Sequence, residues 1–362
     1  MRLAREGGKM ARILYGIHGT GHGHAMRGLT IARALPDHEF LFVASDDAPS
    51  VLEPEFPTKR LPNLGTVFKN YKVDLPATIK RAFPLLANRK KYIREALKII
   101  EDFRPDVCMT DLEYFVPRAA EVAGIPCLTL DHQHTITSCR HEAPLSLRRD
   151  AFIQGLTPRY LFRPTDWNII ISFYAPPLLP RHIRDTRVLP PILRDGVIRS
   201  QPRDDRHILV YQSNSTDKRL IDFLLSSTDR TAYVFGYGDM TGRTGNVVFR
   251  SKSESEFIDL LASCAYVIQG GSHTLMSEAL YLGKPILSIP LEAMVEQRFN
   301  AFYLEKLGYG RVASMDTLNK DFLERFERDL PNFQSAIREN IFLGNDLVFD
   351  LVDRFAKTGS LR

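Results

Sequence analysis

A chain of 362 residues, 44% hydrophobic and 25% charged, has the material for about two soluble globular domains. No stretch approaches the ~18 consecutive apolar residues of a membrane span, and the apolar run behind the basic opening residues is too short for a signal peptide. Four scattered cysteines, Cys108, Cys127, Cys139 and Cys264, exclude a disulfide scaffold or clustered-thiol metal site and imply reduced thiols in the cytoplasm.

In chain order, residues 12–17 read as a strand. They lead into Gly19-Thr20-Gly21-His22-Gly23-His24-Ala25-Met26-Arg27, with a helix expected over 28–35. Neither Gly19-x-Gly21 nor Gly21-x-Gly23 is followed by a glycine three positions on, which disfavours a dinucleotide fold, and no Gly-Lys-Ser/Thr phosphate loop occurs. An imidazole, with an unperturbed pKa near ~6.5, can take a proton at neutral pH, so His24 is a candidate general base. His18 and His22 read as solvated loop histidines.

Further strands are expected over 40–44, 106–110, 127–130 and 168–172, alternating with helices over 87–103 and 116–123, the grammar of βαβ units on a parallel sheet. Asp111, at the end of one strand, can orient the His24 ring. Asp131-His132-Gln133-His134 ends the next strand and reads as a cleft wall, or alternatively as a capping and turn cluster. Asp111-Leu112-Glu113 also has the acid-x-acid form of a metal motif.

The segment 189–206 carries three prolines and little periodicity, marking a linker. Strands then restart over 207–211, 232–235, 247–249, 266–268 and 286–289. After 265–268, Gly270 and Gly271 turn the backbone and Ser272 to Thr274 can cap a helix, so free N–H groups and the helix dipole would face a phosphate. His273 reads equally as a polar loop residue or a phosphate contact. Glu278 can accept two hydrogen bonds from a ribose diol. Glu296, Gln297 and Asn300 stand at i, i+1 and i+4 of the next helix, able to converge on one polyhydroxylated ligand.

These two stretches resemble GT-B glycosyltransferases, in particular the peptidoglycan lipid-intermediate N-acetylglucosaminyltransferase and the UDP-glycosyltransferase families. The resemblance is carried by Gly23-His24-x-x-Arg27 after the first strand and by the ordered series from Gly270 through Glu278 to Asn300. It implies two Rossmann-like parallel-sheet domains facing a central cleft. Residues 1–190 would form the acceptor domain, 191–206 the linker and 207–332 the nucleotide-sugar domain, with a helix within 333–362 crossing back. It also implies roles: Gly271, Ser272 and Thr274 on the diphosphate, Glu278 on the ribose, and Glu296, Gln297 and Asn300 on the sugar. Ser213, with Asn214 and Ser215 after the restarted first strand, would add a phosphate contact. His24 would be the base and Asp111 its partner, with Arg27, His132, Gln133 and His134 toward the acceptor. The spacing from Thr274 to Glu278 is one residue longer than the Thr-x-x-Glu of those enzymes.

The expected activity is transfer of a sugar from a nucleotide sugar, UDP-linked, to an acceptor hydroxyl with inversion, without metal or other cofactor. A sugar-nucleotide 2-epimerase of the same fold and a non-catalytic sugar-nucleotide binding protein are the alternatives. Residues 69–98 hold nine Lys or Arg against Asp74 and Glu95 with apolar groups interleaved. Such a segment suits an anionic membrane face and a lipid-linked acceptor, or is simply a solvated helix face. No nucleic-acid module accompanies it.

Overall fold

The computed structural model describes residues 10–19, 22–65, 68–69, 72–73, 75–155, 161–162, 165–212, 218–238, 240–251 and 253–362; of residues 22, 68, 69, 72, 73 and 75 it describes the backbone alone. Two seven-stranded sheets carry the fold. The first is built from β1 (Arg12–Ile17), β2 (Glu39–Ala44), β3 (Thr58–Arg60), β6 (Val107–Asp111), β7 (Cys127–Asp131), β8 (Trp167–Ile171) and β9 (Thr186–Leu189), in the order β3-β2-β1-β6-β7-β8-β9. Every pairing in it is parallel. A two-stranded ribbon, β4 (Phe68–Lys69) and β5 (Lys72–Val73), stands apart.

The second sheet comprises β10 (Ile208–Tyr211), β11 (Ala232–Phe235), β12 (Gly242–Thr244), β13 (Val247–Phe249), β14 (Tyr266–Gln269), β15 (Ile286–Ser288) and β16 (Gly310–Val312). Its order is β12-β13-β11-β10-β14-β15-β16, with only β12 antiparallel. Central strands such as β6 and β14 are buried along their whole length, which is why they read as apolar runs rather than alternating ones. In both sheets the order reverses beside the first strand, and the crevice at the carboxyl ends of such strands is where α/β sheets bind ligands.

Three helices differ from the sequence expectation. The helix expected from residue 28 begins at His22 and runs to Ala34, so Gly23, His24 and Arg27 lie on its first turns rather than in a loop. The helix expected over 87–103 is present as Arg89–Phe103, and a further helix not expected from the sequence, Leu75–Ala87, precedes it. The final helix is broken into Leu330–Arg338 and Asn345–Thr358. The Asn345–Thr358 helix buries Val348, Val352 and Phe355 in the same core as Ile13, Ile17 and Ile31 of the first sheet's layer. Its start is stitched to the connecting segment, since Asn345 Oδ1 accepts from Leu193 N at 2.8 Å and Asn345 Nδ2 donates to Leu193 O at 2.9 Å. All four cysteines are buried and none is in a disulfide.

Candidate active site

The carboxyl ends of the two sheets meet. A Cβ added at Gly23 would lie 3.0 Å from Thr274 Oγ1, so the helix starts at His22 and His273 abut and a side chain at 23 would press on the Thr274 hydroxyl.

On the first-sheet side, β6 ends at Asp111, whose side chain is fully buried. Its Oδ1 is 2.8 Å from His24 Nδ1, and its Oδ2 accepts from Arg27 Nε at 2.8 Å, with Arg27 Nη2 in ion-pair contact at 2.7 Å. Burial alone would raise the Asp111 carboxyl; the adjacent Arg27 and His24 outweigh it and hold the group at about 2. An ionised Oδ1 at this distance requires the proton of His24 to sit on Nδ1, leaving Nε2 as the basic atom. Arg27, expected toward the acceptor, is buried and pairs with Asp111.

His18 is not a solvated loop residue. It contacts Asn63 Nδ2 at 3.0 Å and Leu112 O at 3.2 Å, and burial, reinforced by His24, pushes it down to about 4. Glu113 turns its carboxylate to the amides of Phe115 at 2.8 Å and Val116 at 2.6 Å, capping the helix Phe115–Ala123. The two carboxylates of the acid-x-acid sequence therefore turn to different partners, Asp111 to Arg27 and Glu113 to a helix start. Among the described residues no group of three or more His, Cys, Asp or Glu is gathered to hold an ion.

The four residues after β7 divide. His134 is fully buried and closes on Asp131, with Nδ1 to Oδ2 at 2.6 Å and its amide to Oδ1 at 3.0 Å. It belongs to a turn cluster and does not line the cleft. His132 is buried too and reaches across, placing Nε2 2.8 Å from Asn300 Oδ1 and stacking on His273 with centroids 3.8 Å apart. Gln133 Nε2 donates to Glu296 Oε2 at 3.1 Å. His132 and Gln133 thus join the two sheets' layers, while His134 is held within its own turn.

On the second-sheet side, Gly271 adopts a φ of +109°, and a Cβ there would come within 2.8 Å of Gln297 Cβ. Ser272 is the residue before the helix His273–Tyr281, but its side chain makes no capping bond. Gln269 braces the turn ahead of it, its Oε1 accepting from Gly271 N at 3.0 Å and Ser272 N at 2.9 Å. Burial pushes His273 well below the usual imidazole value and keeps it neutral, with Nδ1 buried and unpaired. Asn300 is wholly buried, donating to Gly271 O at 3.0 Å. Gln297 Oε1 accepts from Leu291 N at 3.0 Å. Glu278, only 2% exposed, is gripped by Arg194, with Nε and Nη2 each 2.7 Å from one carboxylate oxygen. Arg194 also reaches Glu254 at 3.0 Å. Ser213 lies outside the described residues.

Sequence reasoning missed Gln269, Arg194 and Tyr174, the last of which donates to Asn300 Oδ1 at 3.2 Å. Gln269 directly precedes the Gly-Gly turn, the one available signal; nothing in the sequence marks the other two. A surface hollow of about 930 Å³ lies at the opposite ends of the second sheet's strands, beside Arg206, Arg230 and Glu327, and contains none of the candidate groups.

A family model described as Glycosyl transferase family 1 matches residues 11–331, and the chain belongs to that family. An uncharacterized glycosyltransferase of Methanosarcina acetivorans is 27% identical over 345 residues, covering 86% of this chain and 88% of its own. The glycosyltransferase VinC, solved in complex with dTDP, superposes with a TM-score of 0.58 at 16% identity, over 95% of this chain and 99% of its own. MurG of Acinetobacter baumannii gives a TM-score of 0.60 at 15% identity, covering 96% of this chain and 100% of its own. The fold is GT-B.

Proposed function

We propose that this member of glycosyl transferase family 1 moves a sugar from a nucleoside diphosphate sugar, UDP-linked in the first instance, to an acceptor hydroxyl with inversion. The observation that carries the reading is the His24–Asp111 pair, 2.8 Å apart at the carboxyl ends of the first sheet's central strands and opposite the start of the His273–Tyr281 helix. His24 Nε2 accepts the hydroxyl proton as the oxygen attacks the anomeric carbon; the bond from that carbon to the diphosphate oxygen breaks, and the leaving group takes the electron pair. Asp111 holds Nδ1–H and stabilises the imidazolium that forms. The helix N-terminus, with the Thr274 hydroxyl, stabilises the departing diphosphate; Gly271 and Ser272 contribute through the turn that Gln269 braces.

Glu278 takes the ribose. Each of its oxygens keeps a lone pair after Arg194 has fixed the plane of the carboxylate. Glu296 and Gln297 face the sugar, with Asn300 holding the turn beneath them. The acceptor approaches over residues 1–190. Exposed Ile79 and Phe83 beside exposed Lys80, Lys90 and Lys91 support a lipid-linked acceptor met at an anionic membrane face from the cytoplasm. Among the described residues no helix is long and apolar enough to cross a membrane.

The experiment is incubation with a panel of UDP- and dTDP-sugars, with and without lipid-linked and soluble acceptors, followed by chromatography of the nucleotides. Acceptor-dependent release of the free diphosphate is expected. His24→Ala should slow it by roughly 10²- to 10⁴-fold while calorimetry shows diphosphate affinity nearly unchanged, because the proton moves only in the transition state. An epimerised donor, binding without turnover, or a His24→Ala enzyme of normal rate each overturns the reading.

A further inference from the structure

Arg27 stands between the two groups of the pair. Its guanidinium places Nε 2.8 Å and Nη2 2.7 Å from Asp111 Oδ2, while Nη2 is also 3.1 Å from His24 Nδ1. Asp111 is fully buried and Arg27 only 7% exposed, so solvent screens little of their interaction. A histidine backed by a lone buried carboxylate holds its proton strongly; one whose carboxylate is half-claimed by a guanidinium, itself in contact with the ring, gives that proton up more easily. Both nitrogens approach the one oxygen Oδ2, which leaves Oδ1 to the ring.

We propose that Arg27 is a positioning residue that sets the working range of His24: by sharing Asp111 and facing the imidazole it keeps Nε2 unprotonated, and so able to act as a base, further into acid. The inference rests on the reading of His24 as the base. The other titratable group described against His24 is His18 at the end of β1, ring centroids 5.2 Å away, which burial keeps neutral near pH 7. Asp46, the next carboxylate, is paired to Arg81 at 2.7 Å. Across the cleft the described neighbour of the Gly23 turn is the uncharged Thr274.

The test reads the ring itself, without substrate. Histidine Cε1–H resonances of the full chain are titrated by NMR, with His24 assigned by its loss in His24→Ala. Arg27→Gln removes the charge, and the His24 midpoint should rise by about one pH unit, the low end of what a neighbouring charge does. Arg27→Lys retains a cation without the planar fork, and its midpoint should stay close to wild type. A Gln variant whose midpoint is unchanged or lower, or a Lys variant that moves as far as Gln, overturns the proposal; should Gln fail to fold, a Lys midpoint raised by a full unit does so alone. In an active preparation the acid limb of the kcat/KM profile should move with the midpoint. If no transfer is found for any donor, the NMR result still stands, which separates failure of this inference from failure of the assigned activity.

Discussion

Arg194→Met isolates what the Arg194–Glu278 contact contributes. The variant leaves a carboxylate 2% exposed facing a methyl thioether where two N–H groups stood at 2.7 Å. Removing one partner of a buried pair costs about 3 to 5 kcal/mol, because the remaining charge has lost water and gained nothing. The lower end applies, since Arg194 is 17% exposed and its site is open to entering water. At about 3 kcal/mol the transition of the second domain should fall by roughly 6 to 12 °C. Circular dichroism at 222 nm through thermal and urea unfolding measures it. Neutralising the unpaired carboxylate relieves it, so Arg194→Met with Glu278→Gln should recover much of the loss. A deficit below about 1 kcal/mol, or one indifferent to the second substitution, would refute the reasoning and demote the contact to a screened surface pair.

Asp111, held at about 2 against an ordinary value near ~3.9, should contribute about 2 kcal/mol that is complete above pH ~4 and lost as the pH falls toward 2. Urea midpoints of wild type and Asp111→Asn between pH 2 and 6 should therefore converge at the acid end, and a constant gap would contradict it. Turnover should survive EDTA, because the Asp111 and Glu113 carboxylates are already committed to Arg27, His24 and a helix start; loss of activity restored by manganese would reverse that assignment.

Much of the architecture is legible before any coordinates, because it rests on local chemistry. Short apolar runs bounded by Gly and Pro mark buried parallel strands, and all five strands expected in each half have counterparts. The short outer strands Thr58–Arg60 and Gly242–Thr244 do not show, since their residues are exposed or half-buried and carry no apolar pattern. The helix start at His22 is hidden in the sequence because glycines lower the expectation of helix, whereas here Gly23 lies within the first turn, close against Thr274. The split near residue 340 follows from Gly344, whose approach to Pro190 leaves no room for a side chain.

The sequence by itself determined the chemistry available: a histidine in a glycine-rich helix start, a carboxylate ending a strand, and a second glycine turn ahead of Glu278. Those are local facts, since residue type fixes donors, acceptors and backbone freedom. Only the tertiary structure decided how each group is spent. Arg27, 84 residues from Asp111, became its clamp, and His132, 168 residues from Asn300, became a bridge between layers. Arg194 closed on Glu278, and Gln269 filled the turn that Ser272 was expected to cap. Hydrogen-bond partners are chosen by distance in the folded chain, and burial makes most polar atoms find one. No spacing along the sequence encodes which partner that will be.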